Sequence, residues 1–93
     1  MEEILREALR QYGIHNQTLM LCEECGELIQ AANKALRKIG EEGSLENLKE
    51  EIADVFVMIE QVRLYWDIQW TDINDIYCAK VKRLKERMDG RTV

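Results

Sequence analysis

The 93 residues include no proline, and 46% are apolar and 33% charged, the make-up of a soluble helical protein. No stretch reaches the roughly 18 consecutive apolar residues of a membrane-crossing helix, so no membrane partner is expected. Positive charge is not in surplus. The formal net charge of −5 argues against nucleic acid as a general partner. An acidic chain acting on an anionic substrate needs local cations, either metal ions or a basic patch. There is no repeat, no low-complexity segment and no strand alternation. The opening MEEILREALRQYG is acidic and amphipathic, unlike a signal peptide. A cytoplasmic location follows as the expectation, with the three cysteines as reduced thiols.

What the chain does have is helical periodicity. Met1–Tyr12 is amphipathic, with Ile4, Leu5, Ala8, Leu9 and Tyr12 on one side. Gly13 ends it, and Asn16 is a suitable N-cap for a helix running to Ile39. Gly40–Ser44 is the clearest break, and Ser44 can cap a third helix from Leu45 to about Trp66. Thr71 then caps a fourth helix ending near Met88, ahead of Gly90. Four helices with short links, in one domain spanning 1–93, predict an all-α, up-down four-helix bundle. Val55-Phe56-Val57-Met58-Ile59 is apolar all the way round. One seam cannot bury all of it, so an oligomer interface is expected there, with partial cover by the first helix as the alternative.

The two central helices each carry a pair of acids, Glu24 with Glu27 and Glu51 with Asp54. Residues three apart in a helix lie about 60° apart round the axis and roughly 4.5 Å along it, so each pair points one way. The apolar seam reads Leu21, Cys25, Leu28, Ala32, Ala35, Ile39 on one helix. On the other it reads Leu45, Leu48, Ile52, Val55, Ile59, Val62, Trp66. Every acid comes one residue before a seam position, placing both pairs at the edge of the buried stripe. Four converging carboxylates repel unless a cation or a proton intervenes. With no histidine among them the set favours a hard cation, Mg²⁺ or its substitute Mn²⁺, over zinc or iron. Such a cluster serves phosphoryl chemistry. Counted from the loop, however, the two acid pairs are out of step by roughly 9 Å at 1.5 Å per residue. Their meeting therefore requires a lopsided hairpin.

EECGELIQAANK (23–34) followed by EEIADV (50–55) resembles the E-x-x-E…E-x-x-D signature of the MazG-like nucleotide pyrophosphohydrolases, the all-α nucleoside triphosphate pyrophosphatases. The resemblance covers roughly residues 17–88. It implies an oligomeric helical bundle, a homodimer or a dimer of dimers, with Mg²⁺-dependent cleavage of a nucleoside triphosphate to monophosphate and pyrophosphate. It also implies a role in clearing non-standard or excess nucleotides. By the family's motif Glu24, Glu27, Glu51 and Asp54 are the metal ligands, and either Glu23 or Glu24 activates the attacking water.

Phosphate contacts are expected from Lys34, which follows the first acid pair on its own line. Lys80 and Arg83 on the last helix are a second source. Asn47 and Gln61 flank the second pair on its line and are placed to touch sugar or base. Cys22, Cys25, Cys78 and His15 count to a Cys₃His zinc set. Cys22 and Cys25 fall mid-helix in the apolar pattern, though, and read better as small buried thiols. Trp66 and Trp70 read as core or interface packing. Two rivals remain: a narrower dUTP- or dCTP-specific enzyme, and a non-catalytic helical dimerisation or regulatory module of the same fold.

Overall fold

A computed structural model describes residues 1–90; the last three residues of the expected 1–93 domain lie outside the described residues. The described chain is all-helical, with α1 at Glu2–Tyr12, α2 at Ile14–Arg37, α3 at Ser44–Tyr65 and α4 at Trp70–Met88. The four predicted helices are all present, but their starts differ from the polar-cap reading. Gly13, Gly43 and Gln69 stand at the N-cap positions of α2, α3 and α4. The chain turns from α1 into α2 at Gly13 alone, whose φ of 83° suits a residue without a Cβ. Asn16 and His15 therefore lie within the first turn of α2, not ahead of it. Ser44 is the first residue of α3 and is buried. Its Oγ donates to the Glu41 carbonyl at 3.1 Å, tying the loop down instead of capping the helix.

The hairpin of α2 and α3 is the body of the molecule, and α1 lies across it, mainly on α3. α2 stops at Arg37 and α3 starts at Ser44. Two residues fewer on one side and one more on the other remove about half of the predicted 9 Å mismatch. The loop between them, with Gly40 and Gly43 at positive φ, absorbs the remainder. The lopsided hairpin is therefore built in about equal parts by shifted helix ends and by the loop.

The seam itself is rotated from the predicted one. The deeply buried positions are Gln17 and Ala31 on α2 and Ser44, Val55, Met58, Gln61 and Leu64 on α3. Spacings of seven separate Gln17, Glu24 and Ala31, and likewise Ser44, Glu51 and Met58. Glu24 and Glu51 thus lie on the buried line, not beside it. The predicted stripe is left partly open, with Ile39 at 83% and Leu45 at 63% exposure. The buried line joins small Ala31 and unbranched Gln17, Met58 and Gln61 to branched Val55 and Leu64.

α4 departs from the predicted bundle in one respect. Among the described residues it meets α3 only through its first turn, and its length lies against none of α1, α2 or α3. Its start is fastened by Arg63, which pairs with Glu60, donates to the Ile68 carbonyl at 2.8 Å and lies 5.1 Å from the Trp70 ring centre. Beyond that turn Ile76, Tyr77, Val81, Leu84 and Met88 are exposed. Trp66 and Trp70 are exposed as well, so neither is core within one chain. α1 covers only part of the apolar girdle on α3. An open groove remains between Ile4, Leu5, Phe56 and Val57, with Phe56 63% exposed.

These burials give opposite expectations for neighbouring side chains. Met58→Ala should cost about 2–5 kcal/mol of stability. Phe56→Ala should change the dilute monomer by less than about 0.5 kcal/mol. Urea denaturation of both variants at low protein concentration checks the contrast, and equal losses would mean the seam is misplaced.

Candidate metal centre

Each step forward along α2 is matched by a step back along α3. Gln17 stands opposite Gln61, Glu24 opposite Asp54 and Glu27 opposite Glu51. Ala31 and Asn47 line one cleft together. This register gathers the acids of both helices midway along the hairpin. One carboxylate oxygen from each of Glu24, Glu51 and Asp54 lies within 4.8 Å of the others. That spread is close to the ~4.2 Å between opposite oxygens of an octahedral shell with ~2.1 Å bonds.

Glu24 and Glu51 are half-buried, and on each the Oε2 atom is buried without a hydrogen-bond partner. Orphaned buried carboxylate oxygens are uncommon, because a buried charge without a partner is costly. Among the described residues no Lys or Arg forms an ion pair with any of the four acids; the ion pairs are local i,i+3 and i,i+4 contacts elsewhere. Burial holds the Glu24 carboxyl above its ordinary value of 4.5, and repulsion from Glu27, Asp54 and Glu23 adds to it. Glu51 is raised for the same leading reason, with Glu27, Asp54 and Glu24 contributing, together with a side-chain hydrogen bond to Glu27. Three clustered carboxylates, two of them carrying an orphaned oxygen, form a donor set that fits a hard divalent cation.

The fourth expected ligand, Glu27, is exposed and stands at the mouth of the cluster. It lines a cleft of about 270 Å³ with Gln30, Ala31, Lys34, Asn47 and Glu51. Lys34 and Asn47 are thus brought to the acids. Gln30 was missed by the sequence reading, although it follows Glu27 by three residues on the same face. Glu23 is exposed and close enough to perturb Glu24. Lys80 and Arg83 are not brought to this cleft: they ride on α4, which stands apart from α2 and α3. Gln61 is not available to a ligand either, being 3% exposed and hydrogen-bonded to Gln17 at 2.7 Å.

The zinc set does not assemble among the described residues, where the acid cluster alone has metal-site geometry. The buried-thiol reading also needs correcting. Cys22 is exposed and Cys25 half-buried, because the rotated seam turns that side of α2 outward, and Cys78 on α4 is exposed. No described helix is long and apolar enough to cross a membrane.

Against known proteins, the family model described as the MazG nucleotide pyrophosphohydrolase domain matches residues 13–91. No curated protein and no solved structure matches significantly.

The raised carboxyls fix the sign of a pH effect. A group that holds its proton more tightly folded than unfolded contributes stability fully below its unfolded value, here 4.5, and loses it as pH rises through the folded value. Glu51→Gln should therefore raise the metal-free melting temperature, by little at pH 4 and by more at pH 7. Melting curves at the two pH values check this, and a loss at pH 7 as large as a core deletion would make Glu51 structural.

Proposed function

The chain belongs to the MazG nucleotide pyrophosphohydrolase domain family, and on that premise we propose that it is a Mg²⁺-dependent enzyme cleaving nucleoside triphosphates to monophosphates and pyrophosphate. Mn²⁺ is the substitute. Its service to a cytoplasm is the removal of non-standard or excess nucleotides. The observation that carries the reading is the clustering of the Glu24, Glu51 and Asp54 carboxylates, two of which each bury an oxygen without a partner, beside a cleft that also holds a lysine.

Glu24, Glu51 and Asp54 hold the cation, and Glu27 completes the set from the mouth of the cleft. When bound, a divalent ion supplies Lewis acidity toward phosphate oxygens and water. Lys34 draws the phosphates down the cleft and offsets charge developing on the departing pyrophosphate. Water breaks the α–β anhydride bond, and its proton passes to a carboxylate, Glu23 or Glu24. Glu23 is exposed and free to exchange that proton with solvent. Asn47, opposite Ala31, donates or accepts at the sugar or base.

The working unit is an oligomer, a homodimer or a dimer of dimers. What supports this is the unpartnered α4, with Ile76, Tyr77, Val81, Leu84 and Met88 open to water, and the open groove on α3. Lys80 and Arg83 then reach phosphate only through assembly, carried by the α4 of a second copy.

Pyrophosphate release from a panel of triphosphates with Mg²⁺ is the direct test. Turnover is expected for the parent chain, and a fall of about 10³-fold or more for Glu51→Gln while the variant stays folded. Near-normal turnover by the variant would overturn the ligand set. No release from any triphosphate would favour the rival, a non-catalytic dimerisation or regulatory module. Light scattering should give at least twice the monomer mass, and Val81→Glu should lower it; a monomer at every concentration would remove the oligomer.

A further inference from the structure

Gln17 and Gln61 are 6% and 3% exposed, and they face each other across the hairpin. Gln17 Nε2 donates to Gln61 Oε1 at 2.7 Å. The Gln61 amide turns back to the Val57 carbonyl at 3.3 Å and to the Met58 sulfur at 3.6 Å. Asn16 Nδ2 donates to Gln17 Oε1 at 3.3 Å. A buried polar pair so satisfied adds little that two apolar side chains of equal size would not. What it adds is direction, since the contact forms in one register of α2 on α3 and in no other.

The acids lie at a set distance from this contact. Glu24 follows Gln17 by seven residues and Asp54 precedes Gln61 by seven, about 10.5 Å on each helix. On the far side of the acids, the loop from 38 to 43 ties α2 to α3 covalently. The repelling carboxylates are therefore held between two ties. Remove the glutamine tie and the helices can hinge open about the loop, which is the motion the repulsion favours.

Resting on the metal-site reading above, we infer that Gln17 and Gln61 are positioning residues. They hold α2 and α3 in the register that keeps Glu24, Glu51 and Asp54 within 4.8 Å against mutual repulsion, and so set the affinity for a divalent cation. They touch neither the cation nor the substrate.

The test uses the full chain with Gln17→Met and Gln61→Met together, which preserves side-chain length and removes the hydrogen bond. Calorimetric titration with Mn²⁺ should show affinity lower by about tenfold than in the parent. Metal-free melting of the parent, the Met pair, Glu51→Gln and the triple variant forms a second readout. Sites this far apart ordinarily contribute additively. Here the Met pair should lower the melting temperature more when Glu51 is present than when Gln replaces it, because the tie opposes the charges. Equal Mn²⁺ affinity, or strictly additive melting shifts, overturns the inference. If the parent takes up no Mn²⁺, the metal reading falls, and the melting cycle alone decides the tie. Should the Met pair not fold, Gln17→Asn, one methylene too short for the contact, provides the same comparison.

Discussion

The closest packing in this molecule runs through its charges. α2 and α3 must bury a face against each other for a hairpin to exist, yet the line they bury carries Glu24 and Glu51, with Asp54 and Glu27 alongside. Burial raises the free energy of each ionised carboxylate, and each neighbour adds repulsion. The hairpin tolerates this because its ends are tied and its middle is slender. The Gln17–Gln61 contact lies at one end and the buried Ser44 with its loop bond at the other. A doubly charged ion is the natural complement of what lies between.

Function and stability pull in opposite directions along that seam. A seam that buries two glutamines and a serine and half-buries two glutamates has few positions left for apolar packing: Ala31, Val55, Met58 and Leu64 are the deeply buried apolar residues among those described. Apolar surface is correspondingly abundant elsewhere, on α4, on the outer side of α3 and along Ile39 and Leu45. The oligomer proposed above would give this apolar surface a cover. The weakness of the single-chain core and the wish of α4 for a partner are two expressions of one constraint.

Much of this was legible in the residues. The absence of proline and the 3.6-residue periodicity are local properties, and the helix count and approximate limits follow from them. So did the pairing of the two acid motifs, since i,i+3 spacing puts both carboxylates on one side whatever the tertiary arrangement. Lys34 and Asn47 were found the same way, lying on the same lines as the acids. Helix starts were less legible. Asn16, Ser44 and Thr71 are good caps by propensity, but Gly13, with its positive φ, turns the chain within a single residue and α2 begins three positions early.

The sequence by itself therefore determined which side chains share a face of each helix, because those relations are set by helical geometry within a few residues. Tertiary structure alone decided which face turned inward. The difference between a seam through Leu28 and Ile52 and one through Glu24 and Glu51 is a rotation of a fraction of a turn, and apolar periodicity does not resolve it. The pairing of the two helices does, since a long-range contact such as Gln17 with Gln61 fixes the rotation of each helix against the other. The same step released Cys22 to solvent and enclosed Gln61; among the described residues, Lys80 and Arg83 lie on a helix held only at its first turn.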